Sequence, residues 1–575
     1  MISLIKKLFF ILAWADLKIN YFLSLSLILA LIVAIFEAFF VGLIFFFISN
    51  LLNTDNPLIG NYVTSVFNYF EINNLADIKY YLALMLIMNI ILLAIIRLIH
   101  LKLSTYILYK LNFNIGTNLY KNLLNTNFNF HVKNNSSSLI AAIVIKSKSI
   151  GEISFFFLNI CKSILILPFV IGFAAYLSSE KIFFIFFIFF LMFYLGYSLI
   201  KYKVSLLGRM FAEEQDKIFK NLQESFSSIN LVIVHKIENF FYKIFSNSIL
   251  KQKRSEARIV FLNQLPYIIL QSIIFIIGII FLLFQAQLES FISVIPLISM
   301  WFLASQRIMP NLSEIFSNYS TIKSTKPFLN DIYKLILDVN LSSRKEINAT
   351  VEFNKFIQFK NVSYAYDGSK SAVINQINIL IKKNTFSGIF GSTGSGKSTL
   401  INLISGVISP SSGIIFIDNN VLNKESISSW QNNISLVPQR TILLDHSILS
   451  NIALEIDAEK IDLFKINLIS KLVLLDEFIK MLPNGINTIV GENGKKISGG
   501  QRQKIGIARA LYRDTNVLIL DEATNSLDED SERKILNNIK ELKSKTVVMI
   551  SHNNNNKMYC EQILKISDSN IIKEK

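Results

Sequence analysis

The sequence predicts a two-part chain: a membrane domain of six spanning helices with long cytoplasmic helical loops, followed by an α/β domain of the P-loop type. Three observations carry this. Mean hydropathy is +0.45 and 52% of residues are hydrophobic, too apolar for an ordinary water-soluble chain of 575 residues. Long apolar segments recur before about residue 320 and stop there. Beyond residue 351 short apolar strands alternate with helical stretches, and one strand runs into the phosphate-loop pattern GSTGSGKST, Gly391 to Thr399.

Residues 1 to about 20 combine Lys6, Lys7 and Lys18 with Ile5, Leu8, Phe9, Leu12 and Trp14, the pattern of a helix lying at the membrane interface. A cleavable signal peptide is the rival, and the small-residue cleavage site it needs is missing before the next apolar run. Six segments then reach spanning length, near 21–50, 79–100, 153–177, 182–204, 259–284 and 291–316, about 20 residues each for a hydrocarbon core of about 30 Å. Pro168, Pro266 and Pro296 fall inside them, where neighbouring helices can satisfy the freed carbonyls.

The loops set the orientation. Residues 51–78 carry Asp55, Glu71 and Asp77 and no basic residue, and 285–290 also lack one, so both are expected outside. Residues 101–152 carry Lys102, Lys110, Lys121, Lys133, Lys146 and Lys148, and 205–258 carry Arg209, Lys217, Lys220, Lys251, Lys253 and Arg254, so both belong in the cytoplasm. These cytoplasmic connections keep helical apolar spacing, which predicts membrane helices that extend into the cytoplasm and return. In the first outside loop Pro57 precedes a stripe of Ile59, Val63, Val66, Phe67 and Phe70, the signature of an amphipathic helix.

The net charge of +16 could suggest nucleic acid, but the basic residues cluster beside apolar segments, as the positive-inside rule requires. Cys161 and Cys560 encode no disulfide framework or zinc site, and the five histidines lack metal-ligand spacing. We expect a membrane domain over 1–325, a linker over 326–350 and a nucleotide-binding domain over 351–575, with strands near 356–366, 386–390, 413–417, 434–437, 516–520 and 546–550.

The phosphate loop follows the apolar run Phe386 to Phe390. Gly391, Gly394 and Gly396, with Ser392, Thr393 and Ser395 between them, allow backbone N–H groups to converge on phosphate oxygens. Lys397 would reach the β- and γ-phosphates of ATP and the Ser398 hydroxyl would take a position on Mg²⁺, with Thr399 closing the loop. VLILDEAT, Val517 to Thr524, is a buried-strand pattern ending in two carboxylates: Asp521 to hold Mg²⁺ through water and Glu522 to orient or deprotonate an attacking water. Asp528 follows in NSLD, and His552 ends another apolar strand in MISH. In ISGGQRQ, Ser498, Gly499, Gly500 and Gln501 open a helix whose free N–H groups form a second anion site.

Together these motifs resemble the nucleotide-binding domain of ATP-binding cassette transporters, and the six preceding spans with two long cytoplasmic loops resemble an exporter half-transporter of that family. The resemblance covers essentially the whole chain. It implies that Tyr366 in SYAYDG stacks on adenine and that Gln439 in LVPQ touches Mg²⁺ and the membrane domain. It also implies that Gly491 and Glu492 contact the cytoplasmic loops, that His552 holds the γ-phosphate, and that Asp528 lies across a subunit boundary. Ile497 stands where the signature usually has Leu, and Asn570 where a turn Gly is common; Asn tolerates the left-handed conformation. The signature of one domain closes on the ATP of another in this family, which implies a dimer, either a homodimer or a heterodimer, in a bacterial inner membrane.

Glu37, Arg97 and Arg307 lie in predicted spans, where a charge costs about 2.5 to 3.5 kcal/mol at the bilayer centre and should face a cavity or a partner. Snorkelling competes for Arg97 and a helix-packing hydrogen bond for Glu37. Asn221–Phe245 and Ala304–Ile322 resemble the corresponding parts of bacterial flippases of lipid-linked oligosaccharides, as does the external helix. That resemblance implies a basic cavity suited to a pyrophosphate, with Arg307 as candidate, and a lipid-linked glycan as substrate ahead of other lipids, drugs or peptides. A soluble cassette ATPase would share the C-terminal motifs without the spans, and a nucleotide-gated channel or regulator would share both without coupled movement of a substrate.

Overall fold

The computed structural model describes residues 2–15, 19–52, 75–177, 181–286, 291–343, 350–366, 371–392, 394–455, 457–567 and 570–574. The chain divides into two compact units, Met1–Thr126 with Phe130–Ser343 and Asn127–Asn129 with Arg344–Lys575.

The first unit is helical. Helix α1 (Ile2–Ala15) buries Leu8, Ile11, Leu12 and Ala15 against Ile107, Leu111, Ile115 and Leu329 and leaves Phe9 and Phe10 exposed, as an interfacial helix with one docked face does. It is followed by α2 (Ile19–Leu51), α3 (Leu75–Leu124), α4 (Phe128–Lys133) and α5 (Ser136–Ala141). A π-helical turn, Ala142–Lys146, joins α5 to α6 (Ser147–Leu177). Then come α7 (Lys181–Ser227), α8 (Ile229–His235), α9 (Glu238–Ala286) and α10 (Phe291–Ser342). The helices outrun the expected spans at their cytoplasmic ends: α3 continues to Leu124 and α9 begins at Glu238. Pro168 and Pro266 sit inside α6 and α9 without ending them.

Six spans are expected from hydropathy. Among the described residues three segments, Asn20–Leu51, Ile78–Leu124 and Ser136–Tyr176, are long and apolar enough to cross a membrane. Helix α3 exposes Ile87, Ile90, Ile91, Ile95 and Leu98 in a continuous stripe, a surface that water would penalise and hydrocarbon accepts. The expected external helix after Pro57 lies outside the described residues. The expected linker over 326–350 is helical as far as Ser342, because Phe328, Leu329, Ile332, Ile336 and Val339 continue a buried helical stripe.

Lys146, on the π-helical turn, is buried and donates to Asp216 of α7 at 3.0 Å and to Asp331 of α10 at 2.9 Å. One ammonium thus ties three segments together.

The second unit has two sheets. In the first, β1 (Phe356–Tyr364) pairs antiparallel with β2 (Ile374–Lys382) and β4 (Ser412–Ile417), and β5 (Asn420–Val421) closes the edge. The second has the order β10-β9-β3-β8-β7-β6, formed from β3 (Phe386–Gly391), β6 (Ile434–Val437), β7 (Val517–Asp521), β8 (Thr546–Ile550), β9 (Gln562–Ser567) and β10 (Asn570–Lys573). Its central strands are parallel and nearly all their residues are buried, so they read in the sequence as continuous apolar runs. The alternating or partly exposed strands β2, β5, β9 and β10 gave no such run and are additions to the sequence expectation. Asn570 pairs with Ser567 in the β9–β10 hairpin.

Candidate nucleotide-binding site

Topology assembles the site. In the sheet order β3-β8-β7-β6, registers pair Ile389 with Ile550, Ile550 with Asp521 and Leu520 with Val437. Four parallel strands therefore end at one level, and the residues just beyond their carboxyl ends converge: the phosphate loop after β3, His552 after β8, Asp521 and Glu522 at the end of β7, and Gln439 after β6. This is the crevice in which open α/β sheets place ligands.

Gly396 caps α11 (Lys397–Ile404) with φ 101°, and Gly394 has φ 82°, backbone that favours glycine. A Cβ on Gly391 would lie 2.7 Å from the Ile566 carbonyl and 2.8 Å from Ser395 Oγ. Lys397 Nζ donates to the carbonyls of Gly391 and Ser392, each at 2.9 Å, which curls the loop around the ammonium. Ser395 Oγ is buried with no hydrogen-bond partner among the described residues, an orphan that a phosphate oxygen would satisfy. Ser398 is exposed at the helix start and Thr399 is buried; Thr399 Oγ1 lies 3.2 Å from the Tyr366 hydroxyl. The Tyr366 ring stands edge-on to Tyr364, centroids 5.1 Å apart, and is 41% exposed, which leaves a face free for stacking. Thr393 lies outside the described residues.

Glu522 is the centre of the polar cluster. It is buried, and its carboxylate accepts from Gln439 Nε2 at 2.7 Å and Asn525 Nδ2 at 3.0 Å and meets His552 Nε2 at 2.7 Å. Its φ is 48°, a left-handed conformation that costs a glutamate of order 1 kcal/mol and that surrounding structure must hold in place. Burial lifts the Asp521 carboxyl above its ordinary range, helped by the neighbouring Glu522 and opposed by Lys397. Burial likewise pulls the Lys397 ammonium below its usual value, opposed by Glu522 and Asp521. No cluster of three or more His, Cys, Asp or Glu suited to a metal occurs among the described residues. The donor set suits Mg²⁺ arriving with a phosphate ligand, since that ion is commonly bound through one or two carboxylates plus substrate phosphates.

The signature segment is organised separately. Ser498 caps α12, the helix Gly499–Tyr512, in a capping box: Gln501 N donates to Ser498 Oγ at 3.2 Å, and Ser498 N to Gln501 Oε1 at 2.9 Å. A Cβ on Gly500 would come 3.0 Å from the Ser526 carbonyl. Asp528 caps the helix Glu529–Glu541, accepting from Ser531 N at 2.9 Å, and that hydrogen bond holds its carboxyl below the usual range. Glu492 is exposed and pairs with Lys495 at 2.7 Å. Asn525 is a participant that the sequence reading missed; its position three residues after Glu522 in a turn was the available signal.

In the helical unit, Glu37, Arg97 and Arg307 come together. The Glu37 carboxylate is fully buried and pairs with Arg97 and, at 3.3 Å, with Arg307 Nε; the Arg307 guanidinium lies 4.7 Å from the Phe40 ring centroid. Glu37 and Arg97 line a cavity of about 480 Å³ together with His100, Asn159, Lys162 and Glu314. Lys162 pairs with Glu314 at 3.1 Å, and Ser163 donates to Glu314 at 2.8 Å. Lys162 and Glu314 were not singled out in the sequence, although each is a charge within a predicted span. One acid faces two arginines, so the Glu37, Arg97 and Arg307 cluster keeps a net positive charge, while Lys162 and Glu314 offset each other.

Residues 374–525 match the family described as ABC transporter. Among curated proteins, the ATP-dependent lipid A-core flippase of Coxiella burnetii (strain RSA 493 / Nine Mile phase I) is 40% identical over 222 residues, covering 38% of this chain and 37% of that protein. The alpha-hemolysin translocation ATP-binding protein HlyB of Escherichia coli O157:H7 is 36% identical over 264 residues, covering 45% and 36% respectively. The chain thus spans well under half the length of these relatives. A solved structure described as a bacterial Atm1-family ABC exporter with ATP bound matches 97% of this chain and 95% of its own, with TM-score 0.79 and 18% identity, a likeness of fold.

Proposed function

Starting from a multi-pass membrane chain with the fold of ATP-binding cassette exporters and an ABC-transporter ATP-binding domain in residues 374–525, we propose that it is a half-transporter that hydrolyses ATP to flip or export an amphipathic substrate. The observation that carries this reading is the convergence of Gln439, Asn525 and His552 on the one buried carboxylate of Glu522, a general-base arrangement. A purely nucleotide-sensing regulator has no need of it.

Six spanning helices, homodimerisation and a bacterial inner-membrane location belong to this proposal. Bound ATP with Mg²⁺ supplies the phosphoanhydride bond whose hydrolysis drives the cycle. The loop Gly391 to Thr399 would hold the phosphates, Tyr366 would stack on the base, and Ser398, Gln439 and Asp521 would hold the metal. Glu522 would take a proton from water, and His552, in contact with Glu522, would hold the γ-phosphate. Ser498, Gly499, Gly500 and Gln501 would face the phosphates held by a second copy, with Asp528 at the boundary. Lys397→Ala removes a charge-assisted donor, so affinity for a fluorescent ATP analogue is expected to fall about tenfold or more; unchanged affinity in a titration removes Lys397 from the site.

For the substrate, a lipid-linked oligosaccharide fits best. The relatives named for a flippase and for a translocation protein divide between lipid and polypeptide, while the segments Asn221–Phe245 and Ala304–Ile322 resemble the glycolipid flippases. The Glu37, Arg97 and Arg307 cluster would present arginine to a pyrophosphate once Glu37 releases it. Proteoliposomes test this: a labelled polyprenyl-diphosphate glycan should change leaflet with ATP, and Glu522→Gln supplies the blank. Absence of movement in vesicles that still hydrolyse ATP overturns the glycolipid assignment and favours other lipids, drugs or peptides.

A further inference from the structure

A groove of about 150 Å³ lies where α1, α6 and α10 meet. Its walls are apolar: Ile5 of α1, and Ile153, Phe157 and Ile160 of α6. Lys323 and Lys326, one turn apart on α10, complete the lining. Among the described residues neither lysine makes an ion pair; Lys323 Nζ lies 5.9 Å from the Tyr319 ring centroid. Lys7 of α1 is by contrast occupied, donating to Asn330 Oδ1 at 2.7 Å and lying 5.2 Å from the Tyr333 centroid.

Position fixes the environment. The groove lies at the start of the apolar run of α6 and beyond the apolar part of α10, both on the side of the lysine-rich connection 101–152. That is the cytoplasmic headgroup level, where α1 with its exposed Phe9 and Phe10 also lies. A free anion has no use for isoleucine and phenylalanine walls, and a neutral lipid has no use for two unpaired ammonium groups. A ligand with an acyl chain and a phosphate uses both.

We propose that this groove holds one anionic phospholipid of the cytoplasmic leaflet, with an acyl chain against Ile153, Phe157 and Ile160 and its phosphate at Lys323 and Lys326. The lipid pins α1 to α6 and α10 and is distinct from any transported substrate.

The test is native mass spectrometry of the full chain in mild detergent, titrated with phosphatidylglycerol or phosphatidylcholine. One phosphatidylglycerol should bind in preference to phosphatidylcholine by about tenfold. The double variant Lys323→Gln/Lys326→Gln, with both changes at polar rim positions, should reduce that preference to about onefold, and Ile5→Trp should weaken both lipids by filling the groove. Equal binding of the two lipids by the wild type, or an undiminished preference in the double variant, overturns the proposal. Displacement of phosphatidylglycerol by inorganic phosphate alone also overturns it, since the site would then read only the anion. Retained ATP hydrolysis by the double variant separates loss of the lipid from loss of the fold.

Discussion

Glu522→Gln is expected to lower ATP hydrolysis by about 10²- to 10³-fold while leaving nucleotide affinity near that of the wild type. The amide keeps the size and the left-handed backbone position of the glutamate, whose φ is 48°, and it keeps one carbonyl oxygen for the donors Gln439 and Asn525. It loses the capacity to take a proton. Phosphate release and binding of a fluorescent ATP analogue, measured on the same preparation, separate the two effects. Hydrolysis near the wild-type rate would remove Glu522 as general base, and a parallel loss of binding would make it a structural residue of the loop.

The second large effect is on stability. Glu37→Ala leaves Arg97 and Arg307 without the fully buried carboxylate they share, and removing one member of a buried ion cluster costs about 3 to 5 kcal/mol. Arg97 is 45% exposed at its side chain, and solvent screens that half of the cluster, so about 3 kcal/mol is expected. Thermal unfolding of the purified chain in detergent should show a midpoint several degrees lower. The double variant Glu37→Ala/Arg307→Met should recover part of the loss, because it removes the less exposed of the two arginines left without a carboxylate. A midpoint unchanged in Glu37→Ala would mean that the three side chains do not act as one cluster.

The nucleotide loop and its strand were legible because chemistry restricts them locally: glycine where phosphate must approach, an apolar run where a parallel strand is covered on both faces. Strand β8 and His552 were legible for the same reason. Asn525 was not, because its role depends on a turn that carries it back to Glu522, a relation with no periodic signature. The charges in the membrane unit were legible one at a time and not as a set. Nothing in the spacing of Glu37, Arg97 and Arg307 says that α2, α3 and α10 bring them together, with one carboxylate offsetting part of the charge of two arginines. Strands β2, β9 and β10 were missed because they are partly exposed and lack a continuous apolar run.

The π-helical turn Ala142–Lys146 acts as a phase shifter for everything downstream of it. A π turn accommodates one more residue than an α turn, and one residue is about 100° of rotation about the helix axis. Phe155, Asn159, Lys162 and Ile166, which line the membrane cavity, owe their inward azimuth to an extra residue many positions earlier, at the point where Lys146 is clamped by Asp216 and Asp331. The chain length between that clamp and the cavity is therefore a fixed quantity: a one-residue insertion or deletion between them would swing the cavity-lining face of α6 toward lipid, whereas a conservative substitution at any one of those positions would leave its bearing intact.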